Sequence, residues 1–173
     1  KDVISKIDKN RVSMVVADLD TEEGRNKIIK SCPEADILIN NNSGPPPVNF
    51  LESDKDLWLK ALDSNMLSAI FMIKDLLPGM IERKFGRIVN ITSAMVKSPH
   101  PLMSLSTSAR TGLTAFSKGV SKDVAKYNVT INNLLPERFD TDRQVFMTEI
   151  IMENQNISRD EARSQITSSI AAN

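Results

Sequence analysis

Short, continuous apolar runs separated by helical stretches make this chain an α/β protein: a doubly wound parallel sheet in three layers, with helices on both faces. Three observations carry that reading. The runs at 12–17, 36–40, 86–91 and 129–135 are rich in Val, Ile and Leu, without the strict alternation of a half-exposed strand, as strands buried on both faces are. The stretches between them show helical spacing and helix caps. Each run also ends in polar or loop residues, and in a parallel sheet those ends share one rim, where ligands bind.

Taken in order, residues 12–17 (Val-Ser-Met-Val-Val-Ala) read as a first strand stopped by Asp18-Leu19-Asp20. Asp20 and Glu23 have capping-box spacing, so 21–31 is expected to be a helix, ended by Pro33. Residues 36–40 form the next strand, which breaks into Asn41, Asn42, Ser43, Gly44 and three prolines. Ser53 and Asp56 then cap a long helix, along which Leu57, Ala61, Leu62, Asn65, Met66, Ala69, Ile70, Ile73, Leu76 and Leu77 recur at helical spacing, with Pro78 near its end. The third strand, 86–91, has Thr92-Ser93 as its polar end. A loop with Pro99, His100 and Pro101 leads into a helix at about 106–126, and the fourth strand, 129–135, is stopped by Pro136. Residues 141–172 read as helical, with a break near 154–156 and a new start at Ser158, which has Glu161 at capping-box spacing.

A length of 173 residues suits one domain or part of a larger one. With 40% hydrophobic and 25% charged residues the chain can build a core, which excludes wholesale disorder. Lys and Arg total 22 and Asp and Glu total 22; a formal charge of zero gives no field to draw nucleic acid or an anionic membrane. One cysteine, Cys32, and one histidine make no internal disulfide and no His/Cys zinc set. A reducing, cytoplasmic setting is expected. No uncharged run approaches the roughly 18 residues of a membrane span. The opening on Lys1 and the ending Ala-Ala-Asn read as a chain cut at both ends.

Five segments then carry a resemblance. They are Asp18 after the first strand; 36–44 (Asp-Ile-Leu-Ile-Asn-Asn-Asn-Ser-Gly); Asn65 within Asp-Ser-Asn-Met-Leu; 86–93 with its terminal Ser93; and 129–141 with Pro136 and Thr141. In this order they resemble the short-chain dehydrogenase/reductases, and the 3-oxoacyl carrier-protein reductase-like members among them. The resemblance implies a Rossmann-like domain over 1–173 and NAD or NADP as cofactor. It also implies hydride transfer to or from a small carbonyl or secondary alcohol substrate. Asp18 would contact the adenine, Asn40 to Ser43 would form the cofactor floor, and Pro136 and Thr141 would also bind the cofactor. Asn65 would hold a water in a proton relay, and Ser93 would hydrogen-bond the substrate oxygen. Read without the resemblance, Asp18 is a turn residue, Asn65 bonds its own backbone and Ser93 satisfies a strand end. The helices at 54–77 and 106–126 would join two or four copies, giving a homodimer or homotetramer.

The departures are as informative. Aligning Arg110-Thr-Gly-Leu-Thr-Ala-Phe116 with the family's Lys-x-x-Leu-x-x-Phe puts Ser106 at the Tyr position and Arg110 at the Lys position. The 13 residues from Ser93 to Ser106 match the family's Ser-to-Tyr interval. A phenol is a serviceable proton donor near neutral pH, whereas an aliphatic hydroxyl is a far weaker acid. Glu137 and Ser43 replace glycines of the family pattern, and no Gly-x-x-x-Gly-x-Gly is present. In the sheet order 3-2-1-4-5-6, strands 1 and 2 would lie between runs 12–17 and 36–40, so the chain is expected to lack the amino-terminal βαβ portion and the final strand. His100, between two prolines, reads as an exposed loop residue. Tyr127 lies about 30 Å along the helix from Ser106 and cannot replace the phenol. The stretch Phe146 to Met152 suits either core packing or a mobile substrate lid. The departures admit a second reading, a binding or scaffold protein that keeps the fold without the catalysis.

Overall fold

The computed structural model describes residues 11–137, 139 and 141–168. Contacts divide the chain into two compact units, Lys1–Leu134 and Leu135–Asn173. The first unit holds helix α1 (Glu22–Ser31), strand β1 (Ile37–Asn40), helices α2 (Lys55–Leu62) and α3 (Ser68–Glu82), strand β2 (Gly86–Ile91), helix α4 (Ser104–Val124) and strand β3 (Val129–Leu134). The strands form a parallel sheet in the order β1-β2-β3. Consecutive strands that are parallel need helical crossovers, and the helical segment α2 to α3 and then α4 supply them.

Register explains the core. Leu38 pairs with Ile88, and Ile88 with Ile131, so one apolar row crosses the sheet. That row meets Met72, Ile73 and Leu76 of α3 and Val124 of α4, with Ile28 and Ile29 of α1 packed alongside. Ile73, Met80, Ile88 and Val129 are almost wholly buried, each contributing on the order of 1.5–3 kcal/mol by removal of apolar surface from water. The other face of the sheet is exposed at Ile37, Ile39, Thr130 and Asn132. Among the described residues, no helix is long and apolar enough to cross a membrane.

Several elements differ in detail from the sequence reading. Residues 12–17, expected as the first strand, belong to no helix or strand, and no described strand pairs with them. Thr21, not Asp20, caps α1: its hydroxyl accepts the Gly24 N–H at 3.0 Å. Asp54, not Ser53, caps α2, accepting from the Leu57 N–H at 2.9 Å. The long helix is interrupted by a π-type turn, Asp63–Leu67, and runs on through the exposed Pro78 to Glu82.

The second unit holds α5 (Asp142–Gln155) and α6 (Arg159–Ser168). Asn156 ends α5 in the left-handed region, at φ 51°, a conformation asparagine tolerates better than most residues. Ser158 and Glu161 form the expected capping box: the Ser158 hydroxyl and amide donate to the Glu161 carboxylate at 2.7 and 2.9 Å. These two bonds hold the Glu161 carboxyl below the ordinary carboxylate range. Phe146 is exposed on α5, while Met147 and Met152 are half-buried.

Candidate functional site

The polar groups of the first unit gather where the strands end. Asn65 is brought there by the π-type turn, and Ser106 and Arg110 by their spacing of four residues, one helical turn, on α4. Asn65 Oδ1 accepts from the Ser106 hydroxyl at 2.9 Å and from Arg110 Nε at 3.1 Å. Arg110 Nε also donates to Ser106 Oγ at 3.0 Å, which closes a three-membered polar ring. On its other side, the Asn65 amide donates to the Ser43 carbonyl at 2.7 Å and to Ser64 Oγ at 3.1 Å. Arg110 Nη1 reaches the end of β2, donating to the carbonyls of Ile91 at 2.7 Å and Thr92 at 3.0 Å. Asn65, Ser106 and Arg110 are therefore joined to one another and to the end of β2.

Gly44 lies against this ring. A Cβ there would stand 3.6 Å from Asn65 Oδ1, 3.7 Å from Ser106 Oγ and 3.8 Å from Arg110 Nη2. No glycine takes a positive φ, and Ser43 does not either. The change from glycine at Ser43 therefore imposes no backbone strain. From Gly44 the chain passes through three prolines to Val48, whose N–H donates to the Leu102 carbonyl at 2.9 Å. This segment thus follows the start of α4, and Ser106 beside it is 7% exposed.

Ser93 stands at the end of β2, half-buried, and its Oγ accepts the Met95 N–H at 3.2 Å. Both its local cap role and its position at the strand end are thus realised. His100 caps the short turn before α4, its Nδ1 accepting from the Leu102 N–H at 3.3 Å, and it is exposed. Asp18 is exposed and its Oδ1 accepts the Asp20 N–H at 3.0 Å. Asn41 is exposed, whereas Asn42 is a brace, donating to Asp20 Oδ1 at 2.9 Å and to the Ser64 carbonyl at 3.1 Å. The Asp18 turn itself sits directly on Gly24, where a Cβ would overlap the Asp18 carbonyl at 1.8 Å. A cavity of about 20 Å³ opens between Leu19, Asn41, Asn42, Asn65 and Arg110, room for about one water. Pro136 and Thr141 belong to the second unit; Pro136 is half-buried, and Thr141 is the exposed N-cap residue of α5.

One feature of the site escaped the sequence reading. Asn40, Asn90 and Asn133 stand in register on the three strands. Asn40 donates to Asn90 Oδ1 at 2.8 Å, and Asn90 donates to Asn133 Oδ1 at 3.1 Å and to Ser117 Oγ at 2.9 Å. Asn90 is fully buried, so this ladder satisfies groups that would otherwise be costly to bury. The available signal was an asparagine inside each of three apolar runs.

Comparison with known proteins places the chain in a family and a fold. The family model for short chain dehydrogenase matches residues 1–150, and the chain belongs to that family. Among curated relatives, the NADPH-dependent reductase BacG of Bacillus subtilis is 29% identical over 98% of this chain and 67% of its own length. The 3-oxoacyl-[acyl-carrier-protein] reductase FabG of Haemophilus influenzae is 33% identical over 70% of this chain and 49% of its own. The chain spans about half to two thirds of the length of such relatives. Of solved structures, YwfH, an NADPH-dependent reductase involved in bacilysin biosynthesis, superposes with a TM-score of 0.83 at 28% identity. That match covers 98% of this chain and 66% of YwfH. The Rossmann-like fold expected from the sequence is thereby established.

Proposed function

We propose that this protein is an NAD(P)-dependent oxidoreductase that moves hydride between nicotinamide and a small carbonyl or secondary alcohol substrate. The observation that carries the reading is the Ser106, Asn65 and Arg110 ring at the carboxyl end of β2, within a chain of the short chain dehydrogenase family. The rim suits the cofactor in its chemistry: Asp18 and Asn41 are exposed polar groups beside Leu19 and the small cavity, and they fit an adenosine moiety. Asn40, Asn42 and Ser43 shape the floor beneath, and Pro136 and Thr141 are assigned to the same cofactor. When bound, the nicotinamide supplies or accepts the hydride. Of the expected catalytic residues Asn65, Ser93, Ser106 and Arg110, Ser93 is assigned to the substrate oxygen, and Asn65, Ser106 and Arg110 hold the strand end beside it. Residues 1–173 are treated as part of one such domain, cytoplasmic and assembled as a homodimer or homotetramer.

Titration of NADH and NADPH into the protein at its full natural length tests the reading, with quenching or a blue shift of nicotinamide fluorescence expected. Failure to bind either cofactor at millimolar concentration ends it. A second reading, a fold-retaining binding or scaffold protein, is favoured by the Ser106 hydroxyl being buried and already bonded. Cofactor binding without turnover across ketones, 3-oxoacyl thioesters and secondary alcohols would select that reading.

A further inference from the structure

The hydroxyl at position 106 has a single proton, and the structure directs it to Asn65 Oδ1 at 2.9 Å. Its acceptor side faces Arg110 Nε at 3.0 Å. A Cβ at Gly44 would stand 3.7 Å from its oxygen, and the residue is 7% exposed. Arg110 is similarly committed. Its Nε serves Asn65 and Ser106 together, while Nη1 serves the carbonyls of Ile91 and Thr92. Ser93 differs: it is half-buried at the strand end, and its Oγ accepts from Met95 while its own proton goes to no acceptor among the described residues.

We propose that Ser106 and Arg110 are positioning residues and not a proton-donating pair. Arg110 fixes the Ser106 hydroxyl with its proton on Asn65 and fastens the first two turns of α4 to the end of β2. Ser93 is then the hydroxyl left to meet a substrate oxygen. Neither a serine hydroxyl nor a guanidinium changes charge in the working pH range of an enzyme. The ring therefore keeps one protonation pattern where a phenol and ammonium would not. Lysine cannot take over the arginine's role, because its single ammonium centre cannot reach the Asn65 and Ser106 oxygens and the two strand-end carbonyls at once.

The proposal rests on the oxidoreductase reading only for its kinetic arm, and a second arm needs no ligand. In thermal unfolding of the full-length protein, Ser106→Ala and Arg110→Lys are each expected to lower Tm by roughly 3–6 °C, and the double variant by little more than the larger single change. If Arg110→Lys does not fold, Arg110→Gln takes its place. Additive shifts would overturn the positioning role whatever the activity. In turnover with NADPH and a reducible ketone, Ser106→Ala is expected to keep kcat within about tenfold, with the pH profile between 6 and 9 unchanged in shape. Ser93→Ala is expected to lose about 10²-fold or more, the range of a group acting on the reacting oxygen. A loss beyond about 10²-fold in Ser106→Ala, at unchanged NADPH affinity, would also overturn it. If the natural protein shows no turnover, the oxidoreductase reading fails and the unfolding cycle alone decides the proposal.

Discussion

Asn65 is the residue on which the site turns, since it accepts from Ser106 and Arg110 and donates to Ser43 and Ser64. It is 4% exposed, so its bonds are largely shielded from solvent. Replacement by leucine keeps the branching at Cγ but removes the acceptor of the Ser106 hydroxyl and of Arg110 Nε and the donor to the Ser43 carbonyl. The expected cost of Asn65→Leu is about 2–4 kcal/mol in chemical unfolding, and a loss under about 0.5 kcal/mol would contradict the ring as drawn. Ser93, Ser106 and Arg110 were legible because their intervals along the chain place them relative to one strand and one helix. Asn90, Asn133 and Ser117 were not. Their partners are 27 to 50 residues distant in sequence, and strand register, which brings them together, is not written in any one segment.

At the scale of elements, the apolar runs and helical spacing revealed three strands and the main helices, because burial imposes those patterns locally. The caps of α1 and α2 fell one residue later than read, since Asp20 and Thr21, and Ser53 and Asp54, are adjacent pairs of capping types. The run at 12–17 has strand composition without a neighbour to pair with, and composition does not supply one. The α6 cap, in contrast, was read correctly and yields a pH prediction. The Glu161 carboxyl is depressed in the folded state by the Ser158 hydroxyl and then the Ser158 amide. Its contribution is therefore fully present above the ordinary carboxylate value of the unfolded chain and lost as pH falls through the lower folded value. Circular dichroism should show wild-type helicity falling toward that of Glu161→Gln on acidification. A constant difference between the two from neutral pH to pH 2 would refute the link.

For the molecule as a whole, the helices of the first unit cover one face of the sheet, and the other face presents Ile37 at 62% and Ile39 at 63% exposure. Among the described residues β1 is also an edge strand. In the 173-residue chain this uncovered apolar face is a surface on which copies can associate. Ile39→Lys in the 173-residue chain is expected to leave stability within about 0.5 kcal/mol while raising several-fold the concentration at which light scattering remains that of a single species. Loss of folded structure in that variant would instead show Ile39 to be buried in solution.

The π-type turn has a consequence for angular phase. Ala61, Asn65, Ala69 and Ile73 recur every four residues and are all buried. In an uninterrupted α-helix a four-residue step overshoots a full rotation by about 40°, so three steps would drift by about 120° and carry Ile73 out of line with Ala61. The turn at Asp63–Leu67 takes up one extra residue, about 100° of that drift. The four side chains stay on one line, and Asn65 points to the strand ends while its neighbours on that line fill the core. The helix is thus locally unwound at the place where it presents a polar group, Asn65, to the strand ends.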